Sequence, residues 1–167
     1  MKEINIRDIK TSATELINDC WGLVTAGNEE KFNSMTVSWG ALGEIWNRDA
    51  AFIFIRRSRY TYEFLEKGGL FTLSFYDGKY KGALGRIYGS KSGRDTDKTA
   101  ESGFTPVFTD GAVTYAEAKY TLVCRVIASQ EMSPDGFIDP QIAGLYAGGD
   151  YHKMFVGEII RVYENDA

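Results

Sequence analysis

The sequence predicts a mainly β fold, an antiparallel barrel with a few short helices. Many short runs rich in β-branched and aromatic residues alternate with glycine-containing turns, a pattern that fits a closed antiparallel Greek-key barrel better than a doubly wound sheet. The 167 residues, 44% hydrophobic and 14% aromatic, can bury a substantial core without disulfides or metals. No linker, low-complexity stretch or internal repeat interrupts the chain, so we expect one domain over residues 1–167.

The first third of the chain predicts a helix followed by three strands. Residues 6–19 place their apolar side chains close to helical spacing, and residues 21–26 are typical of a strand that a turn at 27–28 closes. Residues 33–40 are rich in β-formers, and the nearly continuous apolar run 51–56 indicates a strand covered on both faces. We expect these last two strands to be neighbours in the sheet.

The rest of the chain continues with more strand than helix. Residues 60–67 predict a short helix ended by a pair of glycines, and residues 70–76 alternate with period two like a barrel strand. Helical spacing returns at 80–88, and a loop at 89–93 leads into a short predicted helix at 94–101. The remaining strands are expected near Phe104, near Val113, and over 120–128 and 155–163.

Charge and hydropathy exclude several classes of protein. The chain carries 19 Lys and Arg residues against 23 Asp and Glu residues, a formal net charge of -4, so it lacks the positive excess that attracts a nucleic-acid backbone. The charged start and the lack of a long apolar run argue against a signal peptide or a membrane-spanning helix. We therefore expect a soluble cytoplasmic protein with no nucleic-acid or membrane partner.

The sequence offers few ligands for a redox metal. Cys20 and Cys124 are far apart and form no CxxC motif, so we expect two reduced structural thiols and not a disulfide. His152 is the single histidine, which rules out the usual His/Cys zinc and iron sites and leaves only an oxygen-ligand site open. Any redox chemistry is therefore expected to come from an organic cofactor.

Three segments carry more polar chemistry than a plain barrel requires, and the first is the predicted strand over 33–39. Small hydroxyls and an amide alternate there with apolar groups, which suits the polar edge and flat face of a heterocycle. The same alternation is also ordinary strand composition, so the segment alone leaves both interpretations open. The candidate ring-binding residues are Asn33, Ser34, Met35, Thr36, Val37, Ser38 and Trp39.

The second segment, residues 56–61, follows the apolar strand and opens the next predicted helix. It concentrates three guanidinium groups and neighbouring hydroxyls where unpaired backbone N–H groups would also point, which predicts a phosphate site. In the alternative interpretation Ser58 caps the helix and the arginines pair with Glu63 and Glu66. The candidate phosphate ligands are Arg56, Arg59, Tyr60 and Thr61.

The third segment, residues 89–98, mixes glycines, hydroxyls and bases ahead of another predicted helix. It lacks the GxxxxGK[ST] order of a Walker A loop, but Ser92 and Lys98 are suitable as a second set of phosphate ligands. Residues 92–95 also match the S-x-x-[DE] capping pattern, so on local grounds Ser92 is expected to cap a helix.

Five short motifs follow one another along nearly the whole chain. They are WGLVTAG at 21–27, NSMTVSWG at 33–40, RYT at 59–61, SGRD at 92–95 with Lys98, and HKMFVGEI at 152–159. In this order they resemble the FMN-binding split-barrel flavin reductases and flavoredoxin-like proteins. The resemblance implies an FMN-binding split β-barrel and a homodimer with FMN near the subunit interface.

The resemblance also implies where the cofactor lies. The flavin ring edge is expected against residues 33–39, and the phosphate is expected between Arg59, Thr61 and the Ser92 region. Typical reductases of the family have Gly-Asp-His before the final strand, whereas residues 149–152 of this chain are Gly-Asp-Tyr-His, which is one residue longer.

The function that these features favour is an NAD(P)H-dependent FMN reductase. Bound FMN would accept a hydride from NADH or NADPH and pass electrons to free flavin, a redox protein partner or another acceptor. The chain has no GxGxxG fingerprint, so a nicotinamide would have to stack directly on the flavin. His152 is the candidate catalytic residue, because it could hydrogen-bond the nicotinamide or the flavin edge, although a lone histidine is more often an ordinary half-buried polar residue.

Two other functions remain open on the sequence. A flavoredoxin-like electron carrier would receive electrons from a protein such as a ferredoxin and would need no nicotinamide. A related barrel could instead hold pyridoxal phosphate or haem, of which haem is disfavoured by the single histidine.

Overall fold

The computed structural model describes residues 1–165 and confirms the antiparallel β architecture. The helices are short and lie between strands. The strands are β1 (Lys2–Glu3), β2 (Gly22–Gly27), β3 (Phe32–Val37), β4 (Gly40–Ile45), β5 (Arg48–Arg56), β6 (Leu70–Phe75), β7 (Pro106–Thr109), β8 (Ala112–Tyr115), β9 (Tyr120–Glu131) and β10 (His152–Glu164). The α-helices are α1 (Tyr60–Leu65), α2 (Lys81–Ala83), α3 (Lys98–Ser102) and α4 (Pro140–Gly144), with 3-10 turns at Ile6–Asp8, Gly78–Tyr80 and Pro134–Gly136 and π turns at Glu15–Cys20 and Leu84–Gly89.

One antiparallel sheet forms the barrel wall. Its strand order is β3-β2-β6-β9-β10-β5-β4, with β1 added beside β10, while β7 and β8 form a separate hairpin. Within residues 1–165, β3 and β4 do not pair with each other, although only Ser38 and Trp39 separate them in the chain. The barrel is therefore split between β3 and β4.

The larger core lies inside the barrel. Phe71, Leu73, Phe155 and other buried aliphatic and aromatic side chains from β2, β5, β6, β9 and β10 pack together there. Gly157 makes this packing possible, because a Cβ atom at that position would lie only 2.5 Å from Cζ of Phe71. The β9–β10 pairing also shifts its register at this glycine, which bends the two long strands around the core.

A second core is aromatic and lies under the helical segment that follows β6. Tyr88 and Tyr115 are fully buried, and their ring centroids are 5.9 Å apart. Phe104 packs against both rings. This core joins β8 to β3, because the hydroxyl of Ser34 is 2.9 Å from that of Tyr115.

The prediction of one strand over residues 33–40 is wrong at the C-terminal end of that strand. β3 stops at Val37, and the new strand β4 takes the position beside β5 where β3 was expected. The close approach of β4 to β5 requires Gly40, since a Cβ atom there would lie 2.7 Å from the carbonyl oxygen of Phe52. The β4–β5 turn uses Trp46 and Asn47 at positive φ, and a tryptophan gives little sequence signal for such a turn.

Two predicted helices also differ from the structure. The helix expected over residues 6–19 is broken into two separate turns, because the Ser12 hydroxyl accepts a hydrogen bond from the N–H of Glu15 and starts a new one. The helix expected at 94–101 begins only at Lys98, where the Asp97 side chain caps it. Ser92 therefore does not cap a helix; its hydroxyl accepts from the N–H of Arg94 within a turn.

Three further features bear on the sequence expectations. The predicted strand at 70–76 is buried on both faces along most of its length, and its polar Thr72 is satisfied by donating to the carbonyl of Val113 at 2.6 Å. Cys20 and Cys124 are both free, as expected. Among residues 1–165, no helix has the length and apolar character needed to cross a bilayer.

Candidate functional site

Three neighbouring cavities surround β3 where the barrel is split. The split cavity, of about 350 Å³, lies between the end of β3, Trp39 and the facing ends of β5 and β10. The anion cavity, of about 110 Å³, lies between β3, the start of α1 and the loop before α3. The outer cavity, of about 630 Å³, lies farther along β3. Met35, Ser58 and Arg59 line both the split and anion cavities, which are therefore continuous.

The structure brings all the sequence-predicted site residues to these cavities. Only Ser34 lies on the outer cavity alone, because its side chain points to Thr25 and Tyr115. The split cavity takes Met35, Thr36, Val37, Ser38, Trp39, Arg56, Arg59 and His152, and the anion cavity takes Asn33, Met35, Arg59, Tyr60, Thr61, Ser92 and Lys98.

Two cations without acidic partners define the anion cavity. Lys98 is only 6% exposed, and its ammonium donates to the carbonyl of Ser34 at 2.8 Å. Arg59 donates to the carbonyl of Gly89 at 2.5 Å. Within the part of the chain that the structure describes, neither side chain forms an ion pair with a carboxylate. Burial, with a smaller effect of Arg59, lowers the pKa of Lys98 to about 8. The cavity thus concentrates positive charge that no carboxylate among residues 1–165 pairs with, an arrangement that suits a bound anion.

The polar side chains beside these cations are held in place. The Asn33 amide donates to the hydroxyl of the fully buried Thr61 at 2.7 Å, which joins β3 to α1. Gly93 lies directly on Asn33, because a Cβ atom at Gly93 would be only 1.8 Å from the Asn33 amide oxygen. The SGRD motif therefore needs its glycine so that the loop can close over β3.

The acidic partners predicted in the alternative interpretation of residues 56–61 are engaged elsewhere. Glu63 pairs with Arg94, and Glu66 pairs with Lys153. Arg57 turns outward to Glu131. Ser58 does not cap α1 with its side chain; its hydroxyl donates to the carboxylate of Asp150 at 2.6 Å. Arg59 therefore lines the anion cavity without a carboxylate partner among residues 1–165.

The Arg56 guanidinium forms its contacts within the protein and does not extend freely into the cavity. Its guanidinium donates to the carbonyls of Asp150 at 2.7 Å and Leu145 at 3.3 Å, and it lies 5.1 Å from the ring centroid of Tyr146. Arg56 thereby fastens the segment between β9 and β10 to the end of β5. Arg56, which the sequence predicts as a phosphate ligand, thus stabilises the wall of the split cavity in this geometry.

His152 and Trp39 form the opposite wall of the split cavity. Their ring centroids are 5.0 Å apart, and Trp39 is 44% exposed whereas His152 is 9% exposed. The Nδ1 atom of His152 is 2.8 Å from the hydroxyl of Tyr146. Burial, together with Arg56 and Arg59, lowers the pKa of His152 to about 4 against the opposing effect of Asp150. His152 is therefore neutral at pH 7.

Sequence reasoning missed Tyr146, Phe54 and Tyr88 at this site. Tyr146 lies after α4 in a segment without periodicity, and the fold of the chain between α4 and β10 brings its hydroxyl to Nδ1 of His152. Phe54 and Tyr88 fall within a predicted strand and a predicted helix, yet they line the split and anion cavities respectively. No local signal distinguishes such wall residues from other aromatic core residues.

Comparison with known proteins gives a consistent family and fold. The family model for the flavin reductase like domain matches residues 20–167. No curated protein sequence matches the chain. A crystal structure of flavoredoxin from Methanosarcina acetivorans is similar, with a TM-score of 0.70 and 21% identity over 99% of this chain and 77% of that one.

Two further solved structures are similar in fold. The FMN-binding domain of a flavin reductases-like enzyme from Shewanella baltica OS155 has a TM-score of 0.69 and 19% identity, over 98% of this chain and 76% of that one. The NADH:FAD oxidoreductase of Streptomyces globisporus C-1027, in complex with NAD and FAD fragments, has a TM-score of 0.64 and 18% identity, over 87% of this chain and 74% of that one. These likenesses confirm the split-barrel fold.

Proposed function

The chain belongs to the flavin reductase like domain family, and we propose that it is a flavoprotein that holds FMN non-covalently and acts as an NAD(P)H-dependent flavin reductase. The observation that carries this proposal is the pair of cations at Lys98 and Arg59, neither of which is ion-paired within residues 1–165, beside a cavity with an indole and an imidazole wall. One ligand with a phosphate and a flat ring fits both features.

The phosphate belongs in the anion cavity. Lys98 retains N–H donors beyond its one bond to Ser34, and Arg59 supplies a guanidinium from the other side. The hydroxyls of Thr61 and Ser92 line the same space as neutral partners. A dianionic phosphate there would neutralise charge that the fold otherwise leaves without a carboxylate.

The ring belongs in the split cavity. Met35 lies at the junction of the two cavities, and Trp39 and His152 provide flat walls beyond it. The volume of about 350 Å³ is within the range of small-molecule sites. Bound FMN would supply the hydride and electron chemistry, and the protein residues would bind, orient and shield it.

A homodimer is part of this proposal. The split cavity opens beside Trp39, which is exposed. Trp46, on the β4–β5 turn, is also exposed. A further, mainly apolar cavity of about 410 Å³ lies against the other side of Trp39, between β4 and the π turn at Glu15–Cys20. A second copy that covered these surfaces would bury exposed tryptophan and enclose the ring.

The test is the visible spectrum of the purified protein after reconstitution with FMN under anaerobic conditions, before and after NADH and then NADPH. A bound-flavin spectrum that bleaches fast enough for turnover supports the reductase. A bound flavin that stays oxidised until a reduced ferredoxin or dithionite is added supports an electron carrier instead. Failure to bind FMN overturns the proposal.

The phosphate assignment has its own variant. Replacing Arg59 and Thr61 together by Ala should weaken FMN binding at least 10-fold, because charge-assisted hydrogen bonds to the phosphate are lost. Arg57→Ala is the matched control, since that neighbouring arginine pairs with Glu131 on the outside. Equal FMN affinity in the double variant and the control would show that Arg59 and Thr61, at the start of α1, do not bind the phosphate.

A further inference from the structure

His152 and Tyr146 form a buried, hydrogen-bonded pair that distinguishes the two ring nitrogens of the histidine. The Nδ1 atom of His152 is committed to the Tyr146 hydroxyl at 2.8 Å, and Tyr146 is only 5% exposed. The other ring nitrogen, Nε2, has no hydrogen-bond partner within residues 1–165, and His152 lines the split cavity. Nε2 is therefore the nitrogen available to a ligand.

The direction of the Tyr146–His152 hydrogen bond decides what Nε2 can do. A phenol O–H is a stronger donor than the N–H of a neutral imidazole, and an imidazole nitrogen is a better acceptor than a phenol oxygen. The favoured arrangement has the Tyr146 hydroxyl donating to Nδ1. The single ring proton of neutral His152 then resides on Nε2.

The surroundings hold this pair in its place. The rings of Tyr146 and His152 meet edge to face with centroids 5.5 Å apart, while Phe137 and Tyr151 stack on Tyr146 at 5.5 and 5.0 Å. The guanidinium of Arg56 lies over Tyr146 and bonds the backbone on both sides of it. These contacts hold the Tyr146 ring in place, and the other acceptor near its hydroxyl, Sδ of Met132 at 4.0 Å, is weaker than an imidazole nitrogen.

The charged groups around His152 favour its neutral form. Arg56 is its partner in the β5–β10 pairing, Arg59 lies at the start of α1, and Asp150 precedes it in the chain. Asp150 is engaged by the hydroxyl of Ser58, and the two arginines oppose a positive imidazole. No acidic side chain of residues 1–165 forms an ion pair with the imidazole ring.

We propose that Tyr146 is a positioning residue that donates its hydroxyl hydrogen to Nδ1 of His152 and so fixes the Nε2–H tautomer. His152 then presents a permanent, neutral N–H donor to the split cavity. Such a donor selects a ring with a carbonyl oxygen or another acceptor at that edge, and it is not a proton source near neutral pH. The identity of the ring as a flavin or a nicotinamide rests on the proposed function; the tautomer does not.

The test uses the fact that His152 is the single histidine of the sequence. Long-range proton–nitrogen correlation spectra of the ¹⁵N-labelled, ligand-free protein contain one imidazole, and its two ¹⁵N shifts distinguish a protonated nitrogen from a bare one. At pH 7 we expect one tautomer with the proton on Nε2 and a hydrogen-bonded bare Nδ1. A proton on Nδ1, or a cationic ring, in the wild-type protein overturns the proposal.

Two variants separate positioning from packing. Tyr146→Phe keeps the ring stacks but removes the donor, so His152 should show a mixture of tautomers and a higher pKa. Tyr151→Phe is the matched control, because it removes a hydroxyl from the adjacent stacked ring that has no hydrogen-bond partner within residues 1–165. An unchanged single tautomer in Tyr146→Phe overturns the proposal, as does an equal loss in the control.

A binding measurement connects the tautomer to the ligand. FMN affinity, measured by flavin fluorescence at pH 7, should fall on the order of 3- to 10-fold in Tyr146→Phe and stay unchanged in Tyr151→Phe, as expected for a weakened neutral hydrogen bond. If FMN binds and Tyr146→Phe has the affinity of the control, His152 does not donate to the ring and the ligand part of the proposal is overturned. If FMN does not bind at all, the proposed function fails while the spectra still decide the tautomer.

Discussion

Lys98→Met should change ligand binding and ligand-free stability in opposite directions. The substitution keeps an unbranched side chain of similar length but removes the ammonium group that is buried between β3 and the loop before α3. In a purely structural role, loss of the bond to Ser34 would lower stability. In a phosphate-binding role, the charge is a cost to the empty protein and a benefit only to the complex.

The magnitudes follow from the environment of Lys98. A hydrogen bond between a cation and a phosphate contributes about 1.5–3 kcal/mol, so FMN affinity should fall about 10- to 100-fold. The pKa of Lys98 is lowered from 10.5 to about 8, which corresponds to about 3 kcal/mol of unfavourable free energy for the charged form in the folded state. After subtraction of the lost bond to Ser34, the free energy of unfolding should rise by about 1–2 kcal/mol at pH 7.

Two measurements check the opposite signs. Flavin fluorescence titration gives the FMN affinity, and urea denaturation without ligand gives the free energy of unfolding. Lys119→Met is the control, because it makes the same change in net charge at an exposed site outside the three cavities. Unchanged FMN affinity in Lys98→Met, or a loss of stability larger than that of the control, would refute the assignment of Lys98 to the phosphate.

Three other predictions follow from the same geometry. FMN affinity of the wild-type protein should decline as the pH rises through about 8, because Lys98 loses its proton there. In Lys98→Arg the FMN affinity should stay constant from about pH 7 to 9.5, since a guanidinium keeps its charge. A wild-type affinity that is equally constant over this range would contradict the lowered pKa of Lys98. For His152, the pKa of about 4 lies below the usual 6.5, so the unfolded chain takes up a proton first on acidification. Its contribution to stability is complete above pH 6.5 and is lost as the pH falls to 4, by up to about 3 kcal/mol, and urea denaturation of His152→Gln should show a correspondingly smaller decline. Gly93→Ala should displace the loop from Asn33, lower the free energy of unfolding by about 1–3 kcal/mol, and so reduce both FMN affinity and melting temperature. Gly43→Ala should leave both unchanged, because a Cβ atom at Gly43 would have no other atom within 4 Å.

The residues of the anion cavity could be predicted because each carries a local signal. Arg59 and Thr61 lie at the start of a short helix that follows an apolar strand, and Lys98 begins α3 after a glycine-containing loop. Their convergence depends on β3, against which both segments pack. Local signals therefore indicated these residues separately, and the resemblance to the family joined them into one predicted site.

The roles of Arg56 and Tyr146 could not be predicted in this way. Arg56 and Arg57 are adjacent in sequence, but the strand alternation sends one to the loop before β10 and the other to Glu131. Tyr146 reaches His152 through the fold of the segment between α4 and β10, which carries no periodic signal in the sequence. The strand β4 was missed because it depends on a turn at Trp46 and Asn47 that propensity does not indicate.

The most direct test of FMN binding through its phosphate compares FMN with riboflavin, which has the same ring and lacks the phosphate. Fluorescence titrations of both flavins at pH 7 should give an affinity for FMN at least 100-fold higher, because two or more charge-assisted hydrogen bonds in the anion cavity are absent with riboflavin. In Lys98→Met this difference should shrink. Equal affinities for the two flavins, or no binding of either, would contradict the account.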